Sequence, residues 1–211
     1  MLSMISHYIY PLVNQTLQAN YEKNLDNNAL NTSIIESNFL YFYLWKFWLI
    51  ITGNKRLAYS YQQSRSKSRM AMDQVLLKRI SNQSKMVDQW KQLKIDAVLV
   101  PCSPLPALKI ENFKHFTVNS GGVFEYTSLF GSLYWPQGIV PVTTVKESET
   151  TSYDDEYNDA WTKIIREDIK GSAGLPVSVS VVGRPQEDEL VLGVMQAIEN
   201  KIKFNKMPPL K

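Results

Sequence analysis

The chain has 211 residues, 44 % of them hydrophobic, and a net charge of +3. That apolar share supports a packed core, and so mild a charge marks neither a nucleic-acid face nor a site for strongly acidic ligands. A single cysteine, Cys102, excludes an internal disulfide framework and fits a reducing compartment.

Residues 1–33 carry little periodic pattern. Asn, Gln and Asp are dense from Asn14 to Asn31, so loops or short helices with exposed faces are expected there. The start, Met1 to His7, lacks a basic region followed by a long apolar run, so no secretory leader is expected. No stretch reaches the roughly 20 uninterrupted apolar residues of a spanning helix.

The segment 34–69 is distinctive. Phe39, Tyr41, Phe42, Tyr43, Trp45, Phe47 and Trp48 place seven aromatics in ten positions. As a helix, Phe39 to Ile51 is about 20 Å long, short of a bilayer core, and Lys46 lies inside it. Trp and Tyr favour the headgroup level, where one end of the ring is apolar and the other wet. Lys55, Arg56, Arg65, Lys67 and Arg69 follow, and basic residues are drawn to an anionic leaflet. Two readings stay open from these residues. One is a monotopic membrane cap contacting lipid through Phe39, Phe42, Trp45, Phe47 and Trp48. The other is a buried core helix followed by a solvated basic turn.

Residues 70–204 alternate helix and strand. Met72, Val75, Leu76, Ile80, Val87 and Trp90 recur near helical spacing over 70–94. Ile95 to Val100 is a nearly continuous apolar run, which suits a strand buried on both faces and ended by Pro101. After the flexible corner Ser120–Gly122, Val123 to Tyr134 reads as a short helix. Ile139 to Val145 reads as a β-branched strand in which Pro141 marks an edge, an end or a bulge. Asp154 to Ile169 is expected to be a helix whose first turn holds Asp154, Asp155 and Glu156 against the helix dipole, with Gly171 as its stop. Val177, Val179 and Val181 alternate with Ser178 and Ser180, the period of a strand. Pro185 then opens a helix with acids at 187–189 and apolar residues Leu190, Val191, Val194, Met195, Ile198 and Ile202 on one face. Met207 to Lys211 is a tail. This order argues for an α/β class, helices layered on a sheet. The expected divisions are 1–33, the aromatic and basic helices 34–69, the α/β part 70–204, and the tail 205–211.

No assembled chemistry is apparent within these residues. There is no Gly-x-Ser-x-Gly elbow, Walker loop or dinucleotide fingerprint, and no His/Cys/Asp/Glu group has metal-ligand spacing. His7 and His115 lie in weakly patterned segments, and Cys102 and Ser103 beside Pro101 read as packing. No metal or cofactor is expected.

Several segments, in this order, resemble the fatty acid amide hydrolase branch of the amidase signature family. They are Gln89-Trp90; Leu93-Lys-Ile-Asp-Ala-Val-Leu-Val-Pro-Cys-Ser-Pro-Leu-Pro-Ala-Leu108; Tyr126-Thr127; Trp135-Pro-Gln-Gly-Ile-Val-Pro-Val-Thr-Thr-Val145; Asp159-Ala-Trp161; and Gly174-Leu-Pro-Val177 through the final helix. The resemblance spans about 15–204 and is good from 89 onward. It implies a twisted mixed sheet covered by helices, of which this chain looks like the C-terminal part. It implies hydrolysis of N-acyl amides to fatty acid and amine by a Ser–Ser–Lys triad carried in a Gly/Ser-rich block. No such block occurs in residues 1–211, so the chain as written is expected to be inactive. Trp161 matches a tryptophan lining the acyl tunnel, while its place on an apolar helix face also fits plain core; Gly121, Phe124 and Ser128 fall at tunnel-wall positions with residue types that depart from the family's. Ile34 to Ile51 falls where the lipid-active branch has its membrane cap. The partners so implied are a lipid-like acyl amide, a membrane surface, and the absent N-terminal half or a second copy, in an intracellular, peripherally membrane-associated protein. The alternative is a non-catalytic lipid-binding or subunit-like module.

Overall fold

The computed structural model describes residues 34, 37–65, 67–113 and 125–205, with the side chains of Phe113 and Glu125 outside that description. Gly121, Phe124, His7 and His115 also lie outside the described residues. The chain divides into two compact units. The first comprises 1–74, 109–122 and 153–168; the second comprises 75–108, 123–152 and 169–211.

In the first unit, helix α1 (Phe39–Ile51) packs against helix α2 (Lys55–Ser64). Asn38 caps α1 by accepting the Tyr41 N–H at 2.9 Å. Gly53, at φ 81°, supplies the left-handed turn between the helices. Phe42 and Leu49 of α1 meet Ala58 and Tyr61 of α2, with Ile34 completing the buried cluster and Trp45 and Leu57 packed on it. Burial pushes the Tyr61 hydroxyl up to about 12. Helix α3 (Arg69–Gln92) begins in this unit and continues into the second. The short helix α4 (Ile110–Phe113) and helix α6 (Ala160–Asp168) complete the first unit's described elements.

The second unit is a three-stranded antiparallel sheet, ordered β1–β3–β2, with helices on both faces. Its strands are β1 (Ala97–Pro101), β2 (Gln137–Thr144) and β3 (Pro176–Gly183). The alternating valine strand lies at the centre, where both of its edges are paired. Val181 joins Val140 and Val191 under helix α7 (Asp188–Ile202), with Val194, Met195 and Ile198 packed alongside. On the other face Val182 meets Trp90 of α3, Phe130 of helix α5 (Glu125–Gly131), Leu133 and Trp135. Trp90 and Trp135 stack edge to face at 4.7 Å between centroids. Gly183 is required where α7 approaches, because a Cβ there would stand 2.6 Å from Val191 Cγ2.

Three expectations need correction, and one is narrowed. The strand at 95–100 is an edge strand paired only with β3, and it is not buried on both faces: Val98 and Val100 pack on the cluster around Trp90, while Leu99, on the opposite face, is exposed. Pro141 sits beside a register break between Pro141 and Thr143 on edge strand β2, so the bulge and the edge are both realised. Pro185 precedes the final helix instead of opening it. Gln186 at φ 68° and the Glu187 N–H bonded to the Arg184 carbonyl form a turn first, and α7 starts at Asp188. The acids at 154–156 occupy a loop, since α6 begins only at Ala160.

Candidate functional site

That loop is where chemistry gathers. Asp155 folds back on its own backbone, and Oδ1 accepts the N–H groups of Tyr157 at 3.0 Å and Asn158 at 2.9 Å. Such local bonding competes with helix formation, and Asn158 at φ 45° breaks the helical path. Asp159 then caps α6, its Oδ1 accepting the Thr162 N–H at 3.1 Å. Asp154 turns outward to Arg166 at 3.0 Å.

Arg56, from the first turn of α2, enters this loop. Its Nε donates to Asp159 Oδ2 at 2.9 Å and its Nη2 to Asp159 Oδ1 at 2.6 Å, a bidentate fork. The same Nη2 lies 3.1 Å from Asp155 Oδ2 and donates to Thr162 Oγ1 at 3.0 Å. The guanidinium carbon stands 4.6 Å from the Tyr157 ring centroid and 5.6 Å from that of Trp161. The Arg56 side chain is 22 % exposed and that of Asp159 only 2 %. The hydrogen bond to Asp159 outweighs burial and raises the Arg56 pKa further. Burial pushes the Asp155 carboxyl up, but the Asn158 N–H, the Thr162 hydroxyl and the Arg56 charge win and hold it at about 2. Asp159 is lowered from its usual value by the same contest, with Arg56 as the chief opponent of burial.

Asn54, two residues earlier, supplies a second link. It stands at the N-cap of α2 yet makes no cap bond there. Its Oδ1 instead accepts the Ala160 N–H at 3.2 Å, the first amide of α6. The other end of α6 is held too. Buried Asp168 accepts the Lys109 N–H at 3.1 Å and Asn112 Nδ2 at 2.8 Å.

The outer face of α1 is the second feature. Phe47 is 62 % exposed and Trp48 52 %, and Phe39, Leu40, Leu44 and Ile51 are open as well. Trp45 is half-buried and stacks on Trp48 at 5.0 Å. Phe42 is fully buried, so it belongs to the α1–α2 contact and not to an outward face. Two of the cations grouped in the basic turn are also engaged within the chain. Arg56 binds the acids above, and Arg65 lies 4.5 Å over the Phe42 ring and donates to the Ser37 carbonyl. No helix among the described residues is long and apolar enough to cross a membrane.

A model of the Amidase family matches residues 7–192. The chain belongs to the amidase family. Curated relatives agree: it is 35 % identical to a fatty-acid amide hydrolase 1 of Sus scrofa over 126 residues, 58 % of this chain and 21 % of the relative. It is 35 % identical to a fatty acid amide hydrolase 1 of Caenorhabditis elegans over 107 residues, 50 % of this chain and 18 % of the relative. The chain thus spans about a fifth of the length of the curated relatives it matches. A solved fatty acid amide hydrolase superposes with a TM-score of 0.49 at 19 % identity, covering 67 % of this chain and 25 % of that one.

Of the tunnel-wall positions drawn from this family, Trp161 is half-buried on α6 in the first unit, beside Arg56. Ser128 is half-buried on α5 in the second. Arg56, Asp155, Tyr157 and Asn54 were absent from the sequence-derived sites. Asp159 three residues before Thr162 carries a capping signal, but nothing local links it to an arginine 103 positions away.

Proposed function

We propose that this chain is the substrate side of an amidase that hydrolyses N-acyl amides to fatty acid and amine, with the outer face of α1 resting on a lipid surface. The observation that carries the reading is the exposed aromatic face of α1 in a chain of this family. Phe39, Phe47 and Trp48 with Leu40, Leu44 and Ile51 make a patch of the kind that marks a membrane or protein contact. A helix of 13 residues suits lying in the interface and not crossing it. In this reading Trp161 borders the acyl chain. The nucleophile, the bridging serine and the lysine come from polypeptide outside residues 1–211. Residues 1–211 alone turn over no acyl amide.

Two measurements test this. Purified chain is expected to float with phosphatidylcholine vesicles, and Phe47→Ser with Trp48→Ser to weaken that binding by at least about tenfold, since burying each ring is worth roughly 1.5–3 kcal/mol. Equal flotation of the double variant would remove the lipid surface from the proposal. Mapping the transcript upstream of Met1 tests the amidase half, and an in-frame Gly/Ser-rich block is expected. A second reading, a lipid-binding module with no hydrolytic role, is favoured by α1 and α2 having a buried cluster of their own. An in-frame stop codon directly upstream, with flotation intact, would select it.

A further inference from the structure

Helix α6 has nine residues. Isolated helices shorter than about 12–15 residues are marginal in water, so α6 depends on what grips it. Its N-terminal grip comes from the start of α2, through two separate side chains. Arg56 forks onto the capping residue Asp159 and reaches Asp155 and Thr162, while Asn54 takes the first amide, Ala160 N–H. Both side chains lie directly after the Thr52–Gly53 turn that ends α1. The exposed aromatic helix and the helix bearing Trp161 are therefore joined by side chains at one corner of the first unit.

We propose that Arg56, supported by Asn54, is a positioning latch that makes the α1–α2 pair and α6 one cooperative opening unit, so that seating α1 on lipid also suppresses opening of α6. Proteins open locally in contiguous units, and a ligand that binds only the closed form of a unit stabilises all of it. With the latch intact, α6 cannot unravel from its first turn without breaking the Arg56 fork or releasing α2. A lipid surface that holds α1 and α2 closed is felt at α6 by that route, without any change of shape. This rests on the reading that α1 meets a membrane. It adds that the lipid surface orders the helix placed beside the acyl chain.

The experiment is amide hydrogen exchange of the whole 211-residue chain, with and without phosphatidylcholine vesicles, on wild type, Arg56→Lys and Asp159→Asn. Arg56→Lys keeps the charge and loses the fork. In wild type, vesicles are expected to slow exchange over Phe39–Ser64 and also, by at least about fivefold, over Trp161–Asp168. In both variants, vesicles are expected to slow the first segment and leave the second within about twofold of its vesicle-free rate. A wild type that binds vesicles with unchanged exchange in α6 overturns the latch and leaves the membrane reading standing. So does an Arg56→Lys chain whose α6 still slows as in wild type. A wild type that does not bind vesicles defeats both. If circular dichroism shows Arg56→Lys to be unfolded, Asp159→Asn and Asn54→Ala carry the comparison, and undiminished slowing of α6 in either folded variant counts against the latch.

Discussion

At the scale of residues, the first unit turns on one cation among two carboxylates and two rings. Asp159 is almost fully buried, and its charge persists because Arg56 meets it with two hydrogen bonds. Asp159→Asn removes that charge and breaks the fork, because the amide offers one neutral oxygen in place of two charged ones, while the Asp155 carboxylate stays beside Arg56. It is expected to lower stability by about 1.5–3 kcal/mol, as for hydrogen bonds to charged groups, and this is read from the urea midpoint at neutral pH. The pH dependence follows from the sign of the shifts. Asp155 is depressed to about 2 and Asp159 is depressed too, from a usual value of 3.8. Their contribution is therefore complete above the unfolded value and is lost as pH falls from about 4 toward 2. Asp159→Asn should flatten the acid limb of the stability curve in that window. An acid limb unchanged by the substitution would show that other carboxylates set it.

Among elements, the close approach of α7 to the sheet rests on a glycine. Val191 is β-branched and stiff, so it cannot turn away from a Cβ placed at Gly183. Gly183→Ala is expected to cost about 1–3 kcal/mol by overpacking. Adding Val191→Ala should recover part of that loss, and a double variant whose loss equals the sum of the two singles would exclude the contact as the cause. The elements themselves divide sharply in how visible they were. The valine alternation and the acidic turn with its apolar face mark β3 and α7 within short windows, because periodicity is local. The helix at 160–168 was visible, but its start was displaced by six residues from the expected Asp154. Three acids in a row are what a first helical turn favours. Here Asp155 satisfies two loop amides and Arg56 instead, a tertiary demand that the local pattern does not encode.

For the whole molecule, the described sheet ends in two unpaired edges, β1 and β2, each showing a large apolar side chain, Leu99 and Ile139. Open ladders of this kind pair with other chains. The isolated chain is expected to associate as its concentration rises, and Leu99→Lys with Ile139→Lys to shift sedimentation toward the monomer. Persistence of the same association in that double variant would place the contact elsewhere, first of all on α1. The order of helices and strands, the α/β layering and membership of the amidase family were legible in the sequence, because they rest on periodicity and on ordered anchors such as Trp135–Val145 and Gly174–Val177. The inward side of the aromatic helix was not. Phe42, Phe39 and Phe47 are the same residue type, and only packing against α2 decides that the first is core while the other two stay exposed. The partners of Arg56 were hidden for the same reason. A guanidinium reads as surface charge until folding brings residues 155–162 to it across about a hundred positions of chain, where burial and paired charge make the contact strong.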